Sequence, residues 1–320
     1  IVDEWSSFKN SEIYYASPKN SLRKVLNNVH FDTYYLNSFF DFNFSIKILL
    51  LIKFRQTPAK EIILAPRGEL SKGALSLKSF KKNIFLFLAK FINLHKDVTW
   101  HASSKYEAAE IKEIFGKNVK IKIAMDIPGF DQIAPYKRKE KKKDELNILF
   151  ISSIAPKKNL HFVIEVLNRI NGNFTLDIYG PIKDKTYWQK CQRLVSDRIK
   201  DRINYKGIID NNLLHTVYPN YDVFFFPTLG ENFGHVIFES LAYGTPVLCS
   251  GNTPWDKLDE FNAGWNLSLD NLQNYVSIIE KSVLIEDEDY NKYIAESQQY
   301  LYYLKNGNTI NEDNLNLFRN

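Results

Sequence analysis

The chain has 320 residues, of which 44% are hydrophobic and 25% charged, a globular composition that excludes a disordered or collagen-like polymer. Its net charge is +5, from 42 basic and 37 acidic side chains, too mild to argue for nucleic-acid binding but compatible with polyphosphate ligands or an anionic membrane face. Cys191 and Cys249 stand far apart in no metal-ligand or redox spacing, which excludes a disulfide scaffold or zinc module and points to a reducing, cytoplasmic setting.

Short apolar runs alternate with helical patterns along the chain. The first series of expected strands is Ile13–Tyr15, Thr33–Asn37, Glu61–Ala65, Val98–Ala102 and Val119–Ile123. The second is Asn147–Ser152, Phe174–Tyr179, Ile203–Gly207, Val223–Pro227 and Pro246–Ser250. Most are continuously apolar, as buried parallel strands require. Helical patterns at Leu22–Val29, Leu77–Phe91, Lys105–Phe115, Leu160–Ile170 and Phe233–Tyr243 separate them. This alternation predicts an α/β fold of two Rossmann-like, doubly wound parallel sheets. No apolar run reaches the ~18 residues of a spanning helix; the greasiest, Ile46 to Phe54, is broken by Lys47 and Lys53.

The two series are divided by Pro135–Glu145, which holds six basic residues. A run of charge resists packing, so the expectation is a solvated linker between domains at 1–140 and 141–320 rather than a nucleic-acid arm. The last helices are allowed to cross back to the first domain. Ligands of such folds bind at the carboxyl ends of the strands.

The densest motif is Pro227-Thr-Leu-Gly-Glu231-Asn232-Phe233-Gly234, followed by a helix with Glu239 and by Gly244-Thr-Pro246-Val247. Gly234 leaves the turn bare, so amides at the helix start can face an anion or sugar hydroxyls. Glu231 belongs to the loop, whereas Glu239 lies about one turn into the helix. Carboxylates at two depths suit two sets of hydroxyls, such as a hexose and a ribose. Outside such a block the same two glutamates would be ordinary solvated side chains.

The Glu-x7-Glu block resembles that of the retaining GT-B glycosyltransferases of family four, and the likeness runs from about residue 30 to 280. It implies a nucleotide-sugar donor in the C-terminal domain, a glycan or lipid-linked acceptor in the N-terminal one, and retention of anomeric configuration without metal or other cofactor. Ile148–Leu160 matches the family's diphosphate loop: Lys158 stands at its lysine, but Ser153 stands where an arginine is usual. A hydroxyl gives one neutral bond where a guanidinium gives a charged pair, so diphosphate affinity should fall. That departure keeps a second hypothesis open, a nucleotide-sugar-binding or scaffold protein without turnover.

Glu61–Gly73 resembles the Pro-Arg-Gly loop of one branch of that family. The resemblance sends Arg67 toward phosphate or acceptor and makes Gly68 a point of close approach; an ordinary strand-to-helix turn is the alternative. Ser104 and Glu107 form a helix-capping box, and His101 reads as a packed strand-end histidine. Gly207 corresponds to the segment before the nucleotide base, and Trp255 either floors the cleft or fills the core. Asp287-Glu288-Asp289 spells a D-x-D in helical context and is expected to be a solvated charge cluster, not a metal site. The resemblance also implies that one or two βα units of the N-terminal sheet are missing. Finally, Lys72, Lys78, Lys81 and Lys82 precede the apolar Ile84–Leu94; this is either a peripheral membrane contact on the cytoplasmic face or a core helix with solvated lysines.

Overall fold

A computed structural model describes residues 2–17, 22–58, 60–71, 74–75, 79–127, 129, 136–306 and 308–319. The chain divides into two compact units: Ile1–Ala124 with Leu315–Asn320, and Met125–Asn314.

Unit 1 begins with an antiparallel hairpin of β1 (Trp5–Phe8) and β2 (Ser11–Tyr14). Its main sheet has four parallel strands side by side in chain order: β3 (Thr33–Asn37), β4 (Glu61–Ala65), β5 (Thr99–Ala102) and β6 (Ile121–Ile123). Alternating residues point to opposite faces. Tyr34, Leu36, Ile62, Leu64 and Trp100 join one core with Leu49, Leu86, Ala89 and Ile111, which come from the helices Lys47–Lys53, Ser79–Phe91 and Lys105–Phe115. On the other face Ile63 packs with Ala124, Leu317 and Tyr35. There Lys122 Nζ donates to the carbonyls of Asn316, Leu317 and Arg319 at 2.7, 3.0 and 2.6 Å.

Unit 2 carries six parallel strands: β7 (Leu146–Ile151), β8 (Phe174–Tyr179), β9 (Ile203–Gly207), β10 (Val223–Phe226), β11 (Val247–Ser250) and β12 (Gly264–Leu267). Their spatial order is β12-β11-β10-β7-β8-β9. The chain runs outward from β7 to β9 and then returns to β7's other side as β10, so the order reverses between β7 and β10. The loops leaving the two strands at such a reversal are the recurrent ligand position in open α/β sheets. A continuous core from Ile148, Phe150, Phe224, Phe226, Ile237 and Val247 holds the sheet to its helices.

The basic stretch departs from the solvated linker expected at two residues, Arg138 and Lys141. Lys141 is 3% exposed, and its ammonium donates to the carbonyl of Glu145 at 2.5 Å and of Lys142 at 2.8 Å. Arg138 pairs with Asp287, and Lys143 with Glu286 at 2.6 Å. Arg138 and Lys141 thus pack, whereas Lys137, Lys139, Lys142 and Lys143 stay exposed as expected; the stretch lies in unit 2, and the division falls at Ala124/Met125, ahead of residue 140. Asp287 of the D-x-D is spent on Arg138 and on the Lys141 amide, 2.7 Å away, and Asp289 pairs with Lys292 at 2.6 Å. Pro135, the first residue of the expected linker, lies outside the described residues.

Candidate functional site

The loops after β7 and β10 flank the order reversal and are tied together by backbone. Leu229 N donates to Lys157 O at 2.8 Å, Thr228 Oγ1 to the same carbonyl at 3.1 Å, and Asn159 Nδ2 to Pro227 O at 2.9 Å. Asn159 adopts a left-handed conformation (φ 61°), which turns the chain into the Leu160–Leu167 helix; asparagine tolerates this better than most residues. Glu231 N donates to Asn252 O at 3.0 Å. Held by these bonds, Lys158 and Glu231 meet: Nζ lies 2.6 Å from Oε2, and the side chains are 20% and 18% exposed. The ammonium also sits over the Phe226 ring, 5.3 Å from its centroid.

Gly234 follows in the left-handed region (φ 81°) and starts the helix His235–Ala242. A Cβ there would lie 3.1 Å from Ile237 Cδ1 and 3.2 Å from Glu231 Cγ, so the bare backbone sets where Glu231 lies. Phe233 is buried, and its carbonyl accepts from Trp255 Nε1 at 2.5 Å. Trp255 is therefore a core residue supporting the loop from beneath. Asn232 belongs to the same loop. Ser153 is half-buried at the start of the loop after β7.

Glu239, on the helix, lines a cavity of about 700 Å³ with Asn211, Asn212, His215, His235 and Tyr243. Its carboxylate accepts from Tyr218 Oη at 3.4 Å. Burial pushes the Glu239 carboxyl above the usual carboxylate range, and the Tyr218 hydrogen bond offsets part of that rise. Gly207 (φ 81°) ends β9 upstream of this cavity, with open space where a Cβ would be. Asn211, Asn212, His215 and Tyr218 were not singled out from the sequence. They come from a short irregular stretch after β9, and only its length before the next strand could have drawn attention to it.

Arg67 and Gly68 belong to unit 1, at the end of β4. Both are left-handed (φ 52° and 76°), a conformation costly for arginine and often found at functional sites. Gly68 N donates to the buried Glu107 at 2.6 Å, and Glu107 also accepts from Ser103 N at 2.8 Å and Ser103 Oγ at 2.7 Å. Ser104 Oγ accepts from Glu107 N at 3.2 Å, closing the expected cap. Arg67 donates to Asn37 Oδ1 at 3.2 Å and Tyr35 Oη at 2.9 Å. His101 Nε2 lies 2.8 Å from Ala124 O, which makes Nε2 the donor, so Nδ1 accepts from Tyr35 Oη at 2.5 Å. His101 is 2% exposed, as a packed strand-end histidine should be. The loop partner missed from the sequence is Glu69, whose carboxylate accepts from Ser38 Oγ and Phe39 N, both at 2.7 Å.

Comparison with known proteins shows what this chain is similar to. Residues 132–266 match "Glycosyl transferases group 1", a segment that contains Lys158, Glu231 and Glu239. An "Uncharacterized 41.2 kDa protein in cps region" of Klebsiella pneumoniae is 25% identical over 235 residues, 71% of this chain and 62% of the relative. The chain spans less than two thirds of the length of the curated relatives it matches. Among solved structures, a glycosyltransferase from Rickettsia africae superposes with a TM-score of 0.68 at 15% identity, covering 96% of this chain and 86% of that one. Anabaena Alr3699/HepE in complex with UDP-glucose does so with a TM-score of 0.62 at 15% identity, covering 92% and 79%. The chain thus has the α/β fold of the GT-B glycosyltransferase structures, and residues 132–266 carry a glycosyl transferases group 1 domain.

Proposed function

We propose that this protein is a retaining glycosyltransferase of family four. It moves a hexose-type sugar from a nucleoside-diphosphate donor to a glycan or lipid-linked acceptor, in cell-surface polysaccharide synthesis at the cytoplasmic side of a membrane. The observation that carries this is the Lys158–Glu231 pair, held across the order reversal of the unit 2 sheet beside the Gly234 helix start. A cation, a helix N-terminus and a carboxylate supply what a nucleotide-sugar presents: charge for the diphosphate and acceptors for the hydroxyls. Lys158 neutralises charge on the leaving diphosphate, Glu231 orients the sugar, and Glu239 takes the ribose diol in the adjoining cavity. Asn232, Phe233 and Gly234 shape the donor loop, Ser153 faces the diphosphate, and Gly207 precedes the base. In unit 1, Arg67 meets phosphate or acceptor beside the close approach at Gly68. The main catalytic contribution is then electrostatic, with positive charge brought against the leaving group.

A panel of UDP-, GDP- and ADP-sugars in thermal-shift assays tests the donor, because a ligand at 100 times its Kd adds about 2.7 kcal/mol of stability. Release of nucleoside diphosphate then tests turnover, and the anomeric proton coupling of the product tests retention. Ser153, in place of the arginine that the family resemblance leads one to expect, favours a second reading: a nucleotide-sugar-binding protein, which would shift its melting temperature but release no diphosphate.

A further inference from the structure

The Lys158–Glu231 pair has a consequence for selectivity that the individual roles of the two residues do not contain. Each backbone is anchored independently of the pair, Glu231 by Asn252 and the neighbours of Lys158 by Thr228 and Leu229. The ion pair can therefore exchange partners without moving either loop. At 2.6 Å, and mostly buried, the carboxylate neutralises the one ammonium assigned to the phosphates. An incoming diphosphate must compete with Glu231 for that ammonium and also approach Glu231's own negative charge, so both effects oppose it. An intact donor differs because its sugar brings hydroxyl donors to Glu231. They take the carboxylate's lone pairs, and Lys158 turns to the phosphates.

We propose that Glu231 is a specificity-determining residue that discriminates the intact nucleotide-sugar from the spent nucleoside diphosphate, by holding Lys158 in an internal ion pair until sugar hydroxyls engage it. This rests on the donor-site assignment above. It gives the loop carboxylate a role in product release as well as in orienting the sugar.

Isothermal titration of the purified chain with UDP, GDP and ADP, and with UDP-glucose, GDP-mannose and ADP-glucose, selects the base that binds. That diphosphate and its sugar conjugate are then titrated into Glu231→Gln, Lys158→Ala and the double variant. Glu231→Gln should bind the diphosphate about two- to fivefold tighter, the scale set by a partly exposed ion pair, and bind the sugar conjugate more weakly. In the Lys158→Ala background only the part of the gain owed to Glu231's own charge should remain. Glu231→Asp, which keeps the charge but shortens its reach, should give a smaller gain and serves if the glutamine variant does not fold. Diphosphate affinity that is unchanged or lower in Glu231→Gln, with wild type binding normally, overturns the proposal and leaves the donor site standing. If none of the six compounds binds wild type, the donor-site assignment itself falls and takes the proposal with it.

Discussion

Tyr218, a side chain with no exposed surface, directs its hydroxyl to Val236 O at 3.1 Å and to Glu239 Oε2 at 3.4 Å. It thereby fixes both the helix and the carboxylate assigned to the ribose. Burial raises the Tyr218 hydroxyl well above its ordinary pKa, so it stays a donor at every accessible pH.

The first prediction follows from that pair. Glu239 must be ionised to accept two hydroxyls, and its pKa is raised by burial. Nucleoside binding should therefore weaken, as pH falls, at a higher pH than an ordinary glutamate would require. Tyr218→Phe removes the bond that favours the charged form and should move the midpoint higher still. Glu239→Ala should cost about 1–3 kcal/mol of nucleoside affinity and flatten the profile. For folding the sign is opposite: a raised carboxyl contributes stability below its unfolded pKa and loses it as pH rises through its folded pKa. Calorimetric titration across pH, with denaturation in parallel, checks both.

Charge is tested at Lys158. Lys158→Ala should lower affinity for the nucleoside diphosphate far more than for the nucleoside, which carries no charge to neutralise. Ser153→Arg should raise diphosphate affinity if that position faces the phosphates. Equal losses for both ligands in the first variant would make Lys158 a structural residue.

Gly234→Ala tests the turn. A left-handed alanine costs about 1–2 kcal/mol, and its Cβ would press on Ile237 and on Glu231 Cγ. The variant should unfold at lower denaturant and show reduced turnover, because the displaced carboxylate is the one that orients the sugar.

The strands were legible because parallel sheets bury both faces: β4, with Ile62, Ile63, Leu64 and Ala65 all buried, is apolar after Glu61. β1 was not, since Trp5–Phe8 sets two adjacent serines between exposed aromatics, and neither was β12, a strand of only four residues. The Glu-x7-Glu block showed which residues to watch. It could not show that Lys158 and Glu231, 73 positions apart, pair with each other, nor that Tyr218 lies behind Glu239. Those relations are made by tertiary packing and leave no local periodicity. Arg138 and Lys141 escaped the sequence reading because like charges repel in sequence but can be paired across space.

The helix Ser79–Phe91 carries the membrane prediction. Leu86 and Ala89 are buried, whereas Phe80, Phe87 and Phe91 are 77%, 69% and 76% exposed. With Ile84 and Leu88, also exposed, they line one side of the helix, a spacing that suits an interfacial surface. Lys82 is turned inward to Ala74 O at 2.6 Å, and Lys72 and Lys78 lie outside the described residues. Among the described residues no helix is long and apolar enough to cross a membrane. Co-sedimentation with anionic but not neutral vesicles is expected. Phe87→Asp with Phe91→Asp should reduce it at least about tenfold, since each buried phenylalanine contributes about 1.5–3 kcal/mol. Binding unchanged in the double variant would assign the exposed stripe to another partner.

Lys122 clasps three carbonyls that follow it by almost two hundred residues, and Leu317 covers the same sheet face. Removing residues 315–320 would therefore take all three acceptors from Lys122 and bare the Ile63 face of the first unit's sheet, while every residue of Met125–Asn314 remains.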